Sequence, residues 1–410
     1  MPSIHPSETI QTIPLQSLAD EFGTPLYVYD AAIIDRQVNR LRSAFAEFPH
    51  QIKYAAKALT NTGVLRHMKS RGLGLDVVSI QELRMGLDAG FKPSEILFTS
   101  NSIHYSELKE AIKFGTFINI DSLSLLEKFG QEYGGSYPCS IRLRLDPLTH
   151  NHEGSKKWHQ LSKFGIHHSR IAEIRALIKK YDLNITGLHV HNSSGFLDIP
   201  VYLSTADRMF SIAGQFGDLQ FIDFGGGITI PFYRNHKVID IEELGKKLAV
   251  KVNEFYKAYG SEPDIWFEPG RFLVSECGIL LTTVTVLKED REPIFAGTDT
   301  GFHHLLRPAL YDSYHEIHNL SNPSGDLKGY HITGNMCETD FLGKNRTIAE
   351  IREGDILMIF NAGAYGSCMA SNYNSRLRPA EVMVRDGKAH LIKRRETYED
   401  LIRNHIAVDW

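Results

Sequence analysis

The chain has 410 residues, 42% of them hydrophobic and 23% charged, the composition of a folded globular protein and a length that suggests two domains. The net charge is −4 with no basic block, which argues against a nucleic-acid partner. No apolar run reaches membrane-span length and no basic segment leads an apolar core at the N-terminus, so no membrane partner is expected and the expected location is cytoplasmic.

The four cysteines, Cys139, Cys277, Cys337 and Cys368, show no C-x-x-C pairing and read as reduced thiols rather than a disulfide frame or a zinc site. Residues 24–29, TPLYVY, form a short alternating β segment ahead of any helix, expected to join a sheet other than the one that follows. A rhythm then begins. Short β-like runs fall at Ile52–Ala56, Gly74–Val78, Glu95–Thr99, Phe117–Ile120, Ile141–Leu145, Ile185–His191, Leu219–Phe224 and Asp264–Glu268. Helical apolar spacing fills most of the intervals, as at Thr62–Lys69, Ile80–Ala89, Ser106–Phe114, Leu123–Tyr133, Arg170–Lys180, Val201–Phe216 and Ile241–Tyr259. Eight strands alternating with helices over roughly 230 residues predict a (β/α)8 barrel. The rival, an open doubly wound sheet, usually has fewer strands and an early phosphate loop, whereas the triple glycine here follows the seventh run. The polar stretch from Pro147 to Lys163 has no periodic pattern and reads as a lid or as a plain surface loop.

After Pro269 the runs VTVL, YHITG, DILMIF, EVMV and HLIKR are short, alternating and separated by turn residues, which predicts an all-β domain, a Greek-key-like barrel or sandwich. The expected domains are therefore 1–33, joining the β domain, then the barrel at 34–272 and the β domain at 273–410.

Polar groups collect at the ends of the barrel runs, the face from which barrel enzymes draw their chemistry. Lys57 follows the first, Asp76 closes the second, Arg144 ends the fifth, and His189 and His191 end the sixth. The seventh ends in Gly225-Gly226-Gly227, bare backbone that can wrap an anion such as phosphate, and the eighth in Glu268-Pro269-Gly270-Arg271. Taken singly, each has a bland explanation: a solvated lysine, a core histidine, half of an ion pair, a tight turn. Taken together, a lysine amine, a glycine-lined phosphate site, a flat histidine and a lone carboxylate are what pyridoxal 5′-phosphate requires.

The order of FGTPLYVYD, YAAKA, GGG, EPGR, LLRPALYDSYH, GNMCETD and GAYGSCMASNYNSR resembles the alanine-racemase-fold (fold type III) pyridoxal phosphate decarboxylases, most closely the diaminopimelate decarboxylases, over almost the whole chain. The resemblance implies that Lys57 carries the cofactor as a Schiff base and that His191 stacks on its ring. It further implies that Ser194, Gly226, Gly227 and the Glu268–Arg271 turn, with Gly270, contact ring and phosphate, beside Asp76 and Arg144. Tyr365 matches a residue near cofactor and substrate, Cys337 the proton donor, and Arg271, Arg307, Tyr311 and Glu338 substrate contacts. In that family the Cys-Glu pair reaches into the neighbouring subunit, which implies a homodimer; no metal is implied. Two departures stand out. HNSSG replaces His-x-Gly-Ser-Gln, with Ser193 for glycine and Gly195 for glutamine, and CETD is one residue shorter than Cys-Glu-Ser-Gly-Asp. They leave the exact substrate open to D-ornithine, D-lysine or carboxynorspermidine. A metal-dependent barrel hydrolase using His189 and His191, and a cofactor-free regulatory homologue, are the readings from other classes.

Overall fold

The computed structural model describes residues 8–146, 162–191, 198–233, 236–290 and 292–410. Its residues group into two units: Gln37–Thr229 with Lys237–Phe272, and Met1–Arg36 with Ile230–His236 and Leu273–Trp410.

The first unit is a closed parallel barrel. Its eight strands are His50–Ala55, Gly74–Val77, Ile96–Phe98, Phe117–Ile120, Cys139–Arg144, Ile185–Val190, Phe221–Asp223 and Asp264–Phe267. Each pairs with the next, and Phe267 pairs with Ile52 to close the ring. A two-residue strand, Ile166–His167, adds to the outside of the fifth. The intervening helices begin where short polar side chains cap them: Ser79 accepts from Glu82 N, Ser122 from Leu125 N, and Asp240 from Glu243 N. Gly115 and Gly260 end their helices in the left-handed conformation.

Residues two apart on a strand face the same way, so each inward position has a partner one layer higher. Phe221 and Trp266 stack with ring centroids 3.6 Å apart and, with Leu97 and Phe117, form an apolar floor. Two residues further along the same strands stand Asp223 and Glu268, both buried. Strand alternation thus lifts the carboxylates onto the C-terminal side of an aromatic layer.

The second unit is built on a nine-stranded sheet. Its 11-residue strand Gly278–Lys288 pairs with Ile294–Thr298, Ile356–Ile359 and Leu26–Asp30. Leu26–Asp30 is buried throughout and also pairs in parallel with Ala380–Arg385, so the early TPLYVY segment joins this sheet as its sequence indicates. The core collects Leu15, Leu18, Leu26, Val28, Ile279, Leu281, Met358, Val382 and Val384. The hairpin of Leu327–Thr333 and Phe341–Ala349 lies at one edge.

Candidate active site

Lys57 sits in the 3₁₀ turn Ala56–Ala58 directly after the first barrel strand. Its Nζ lies 2.6 Å from Asp76 Oδ2, a carboxylate with no exposed surface. Ala55 and Asp76 are register partners, so two residues of overrun bring the amine onto the second strand's acid. Burial raises the Asp76 pKa, as does the charge of Glu268, while Lys57 draws it back.

Across the barrel, His189 Nε2 is 3.0 Å from Glu268 Oε2, and both side chains are buried. Burial works to raise the Glu268 pKa, but the His189 charge and hydrogen bond outweigh it and bring the carboxyl down to about 2. Glu268 Oε1 is buried with no hydrogen-bond partner among the described residues. His191 is held neutral, its pKa lowered to about 3 by burial first and then by the Arg142 and Lys57 charges.

The glycine turn is fitted between these groups. Gly225 has φ +65°, and a Cβ there would come 2.6 Å from His191 Nδ1. At Gly226 a Cβ would come 2.6 Å from the Glu268 carbonyl oxygen. The bare chain instead donates Gly226 N–H to His191 Nδ1 at 3.0 Å, and Gly225 N–H to Asp223 Oδ1 at 2.7 Å. Gly227 follows at φ +100°. Gly270 is buried and Arg271 opens the short helix Arg271–Val274. Arg144 ends the fifth strand and donates to the Ser162 carbonyl. Ser194 and most of the Pro147–Lys163 stretch lie outside the described residues.

Cys337, Glu338, Arg307, Tyr311 and Tyr365 belong to the β unit. Cys337 and Glu338 are exposed at the tip of the edge hairpin, where Cys337 N–H donates to Asn374 Oδ1 at 3.1 Å and Tyr373 O–H to Glu338 Oε1 at 3.2 Å. Arg307 is buried at the start of the helix Arg307–Tyr311, its guanidinium 5.4 Å from the Phe232 ring centroid. Tyr311 is exposed, and Tyr365 takes φ +57°.

Some interior groups were not singled out by the sequence. Arg142 is buried on the same strand face as Arg144, a relation that the alternation in IRLRLD carries. Asp223 precedes the glycines by two residues, and Lys53 is fully buried with Nζ 3.9 Å from the Trp266 ring centroid. Among the described residues two groups could hold a metal ion by proximity, Asp146–His167–His168 and His189–Asp223–Glu268. In the first, the Arg208 guanidinium already lies 3.9 Å from the carboxylate.

The family model described as "Pyridoxal-dependent decarboxylase, pyridoxal binding domain" matches residues 31–275. The chain belongs to the pyridoxal-dependent decarboxylases. It is 39% identical to a diaminopimelate decarboxylase of Methanothermobacter thermautotrophicus, over 94% of this chain and 92% of that protein. The crystal structure of the M. jannaschii diaminopimelate decarboxylase in complex with L-lysine superposes with a TM-score of 0.89 at 30% identity, covering 97% of this chain and 95% of that one. The Helicobacter pylori enzyme complexed with L-lysine gives 0.85 at 31% identity, over 95% and 98%.

Pyridoxal phosphate is accordingly the cofactor, and the barrel residues suit it. Glu268 Oε1 is an acceptor without a partner among the described residues, as a protonated ring nitrogen requires. Gly225 and Gly226 form a cradle that any side chain would fill. The Lys57 side chain is 38% exposed while its counter-ion is buried.

Proposed function

We propose that this decarboxylase converts meso-2,6-diaminopimelate to L-lysine and CO2, a step of lysine biosynthesis. The observation that carries the substrate assignment is full-length likeness, 39% identity over 94% of the chain, to a protein of that name.

When bound, the cofactor accepts the electron pair left as the substrate's carboxylate departs. The chain does the rest. Lys57 is the amine that would hold the cofactor, with Asp76 Oδ2, 2.6 Å away, fixing its position. Glu268 would hold a proton on the ring nitrogen, and the His189 contact lowers the Glu268 pKa and so favours its ionised form. His191, neutral, offers its flat face to the ring. Gly226, Gly227, Gly270, Arg271 and Ser194 would receive the phosphate. At the far end of the substrate Arg307, with Arg271, Tyr311, Tyr365 and Glu338, reads the second carboxylate and ammonium; arginine suits the first because its fork matches a carboxylate. A substrate with only a distal amine would forgo the arginine–carboxylate match at Arg307, which favours diaminopimelate. Cys337 returns a proton to Cα. The working unit in this reading is a homodimer in which Cys337 and Glu338 serve the partner's site.

The test is incubation of the purified, cofactor-loaded protein with meso-diaminopimelate, D-ornithine, D-lysine and carboxynorspermidine in parallel. L-lysine and CO2 from the first alone support the proposal. Turnover only in another tube overturns the substrate assignment and leaves the cofactor chemistry standing.

A further inference from the structure

The edge hairpin of the β unit poses a problem of its own. Seven residues, Gly334 to Asp340, connect the paired Thr333 and Phe341, and the exposed tip of this loop carries Cys337 and Glu338. An exposed loop of that length is ordinarily loose. Here its root is bound by one side chain. Asp340 is 3% exposed. Its Oδ1 accepts the Phe302 N–H at 2.8 Å, and the Met336 N–H within the loop also donates to the carboxylate. The Asp340 carbonyl accepts Gly334 N–H at 2.8 Å, and Asn335 N–H reaches the Thr300 carbonyl at 3.0 Å. One acid therefore ties both arms of the loop to each other and to the 300–302 segment.

The space for that carboxylate is made by two bare positions. A Cβ on Gly301 would lie 2.2 Å from Asp340 Oδ2, and one on Gly334 would lie 2.0 Å from it and 2.4 Å from Gly301 Cα. Neither glycine has a positive φ, so it is close approach and not backbone conformation that excludes a side chain at either place. From the loop root the tie passes up the turn to Cys337, whose own N–H is fixed by Asn374 Oδ1.

We propose that Asp340 is a positioning residue: its buried carboxylate sets the turn that presents Cys337 and Glu338, and Gly301 and Gly334 are kept bare to admit it. The proposal rests on the reading that Cys337 and Glu338 act on substrate. Burial raises the Asp340 pKa to about 6 against the two N–H groups that lower it, so the tie loosens as the acid takes a proton just below neutral pH.

The experiment compares Asp340→Asn, Gly334→Ala and Cys337→Ala with the wild type, each as full-length, cofactor-loaded protein. In Asp340→Asn, kcat falls by about 10²-fold, as displacement of a reacting group by an ångström does, with cofactor absorbance and KM little changed. The rate of Cys337 alkylation by iodoacetamide, read on its own peptide by mass spectrometry, changes with it, and the acid-side limb of kcat near pH 6 disappears. Gly334→Ala lowers kcat in the same way with the carboxylate still present. A folded, loaded Asp340→Asn protein with wild-type kcat, alkylation rate and acid limb overturns the proposal. Should the variants not fold, amide exchange of the wild type decides. Protection of Phe302 and Met336 must fall as pH drops through 6, and unchanged protection overturns the proposal equally. Cys337→Ala separates the two readings: wild-type turnover there removes the role of Cys337 itself, whereas a dead Cys337→Ala beside a normal Asp340→Asn removes only the role of Asp340.

Discussion

Gly226→Ala is the substitution whose consequence can be worked furthest. The added methyl would lie 2.6 Å from the Glu268 carbonyl oxygen, where ordinary contact begins at 3.4 Å, so about 0.8 Å must be absorbed. The carbonyl cannot simply yield. Its own residue donates Glu268 N–H to Gly225 O at 2.8 Å, and the next carbonyl, of Pro269, accepts Ala55 N–H at 3.3 Å. The glycine strand end has to move instead, and that loosens the 3.0 Å bond from Gly226 N–H to His191 Nδ1. Overpacking of this kind costs about 1–3 kcal/mol. For a barrel of this size that is a fall of about 2–12 °C in Tm. Cofactor affinity falls with it, by about tenfold if one hydrogen bond of ordinary strength is lost. Gly217→Ala is the control, since nothing lies within 4 Å of its Cβ and its φ is not positive; it melts within about 2 °C of the wild type or slightly above it. Thermal unfolding of cofactor-depleted and loaded protein, with an absorbance titration of pyridoxal phosphate, measures both effects. If Gly226→Ala melts with Gly217→Ala and binds the cofactor as the wild type does, the cradle argument is wrong.

Three further outcomes are expected. Lys57→Ala removes the partner 2.6 Å from buried Asp76 and should cost about 1–3 kcal/mol besides abolishing the bound-cofactor absorbance; adding Asp76→Asn should restore most of the melting temperature, and an additive double variant would contradict the pairing. The Glu268 pKa is depressed from 4.5 to about 2, so its contribution to stability is complete above pH 4.5 and is lost as pH falls toward 2; His189→Asn should move the acid-unfolding midpoint upward, by about one unit, in a fluorescence titration. Burial lowers the Lys53 pKa from 10.5 to about 8, so the unfolded chain binds the extra proton between those values and stability gains from this group as pH rises from 8 to 10.5; melts across that range should show the gain in wild-type protein and its absence in Lys53→Met.

The sequence carried the barrel well because each strand is a short apolar run and each helix has its own ends. Leu123–Tyr133 and Ile241–Tyr259 are placed residue for residue, with Ser122 and Asp240 as readable caps. The first strand starts two residues earlier than its apolar run, at His50 and Gln51, because pairing with Ile265 and Trp266 makes a strand of residues that have no apolar pattern. Helix Leu15–Phe22 and the strand pair before it were not read, being too short for periodicity to register. At the site, Lys57, Asp76, His191, the glycines and Glu268 were legible because each stands at or just past the end of a strand, a position that sequence alone defines. Lys53, Arg142 and Asp223 were not, because what marks them is sharing one enclosed interior, and only closure of the ring by Phe267 and Ile52 brings that about.

That interior also explains how one buried carboxylate can stay charged. Asp223 and Glu268 stand on neighbouring strands inside a closed barrel, and two acids so placed cannot both ionise freely. What separates them is the partner each has. Glu268 has the His189 imidazole at 3.0 Å and falls far below its usual range. Asp223 has one backbone N–H, from Gly225, and rises well above its own, through burial first and the Glu268 charge second. Burial is the larger cause at Asp223, and the Glu268 charge adds to it in the same direction. Oε1 is therefore left as an ionised acceptor without a partner among the described residues, and this is the oxygen that a protonated ring nitrogen requires.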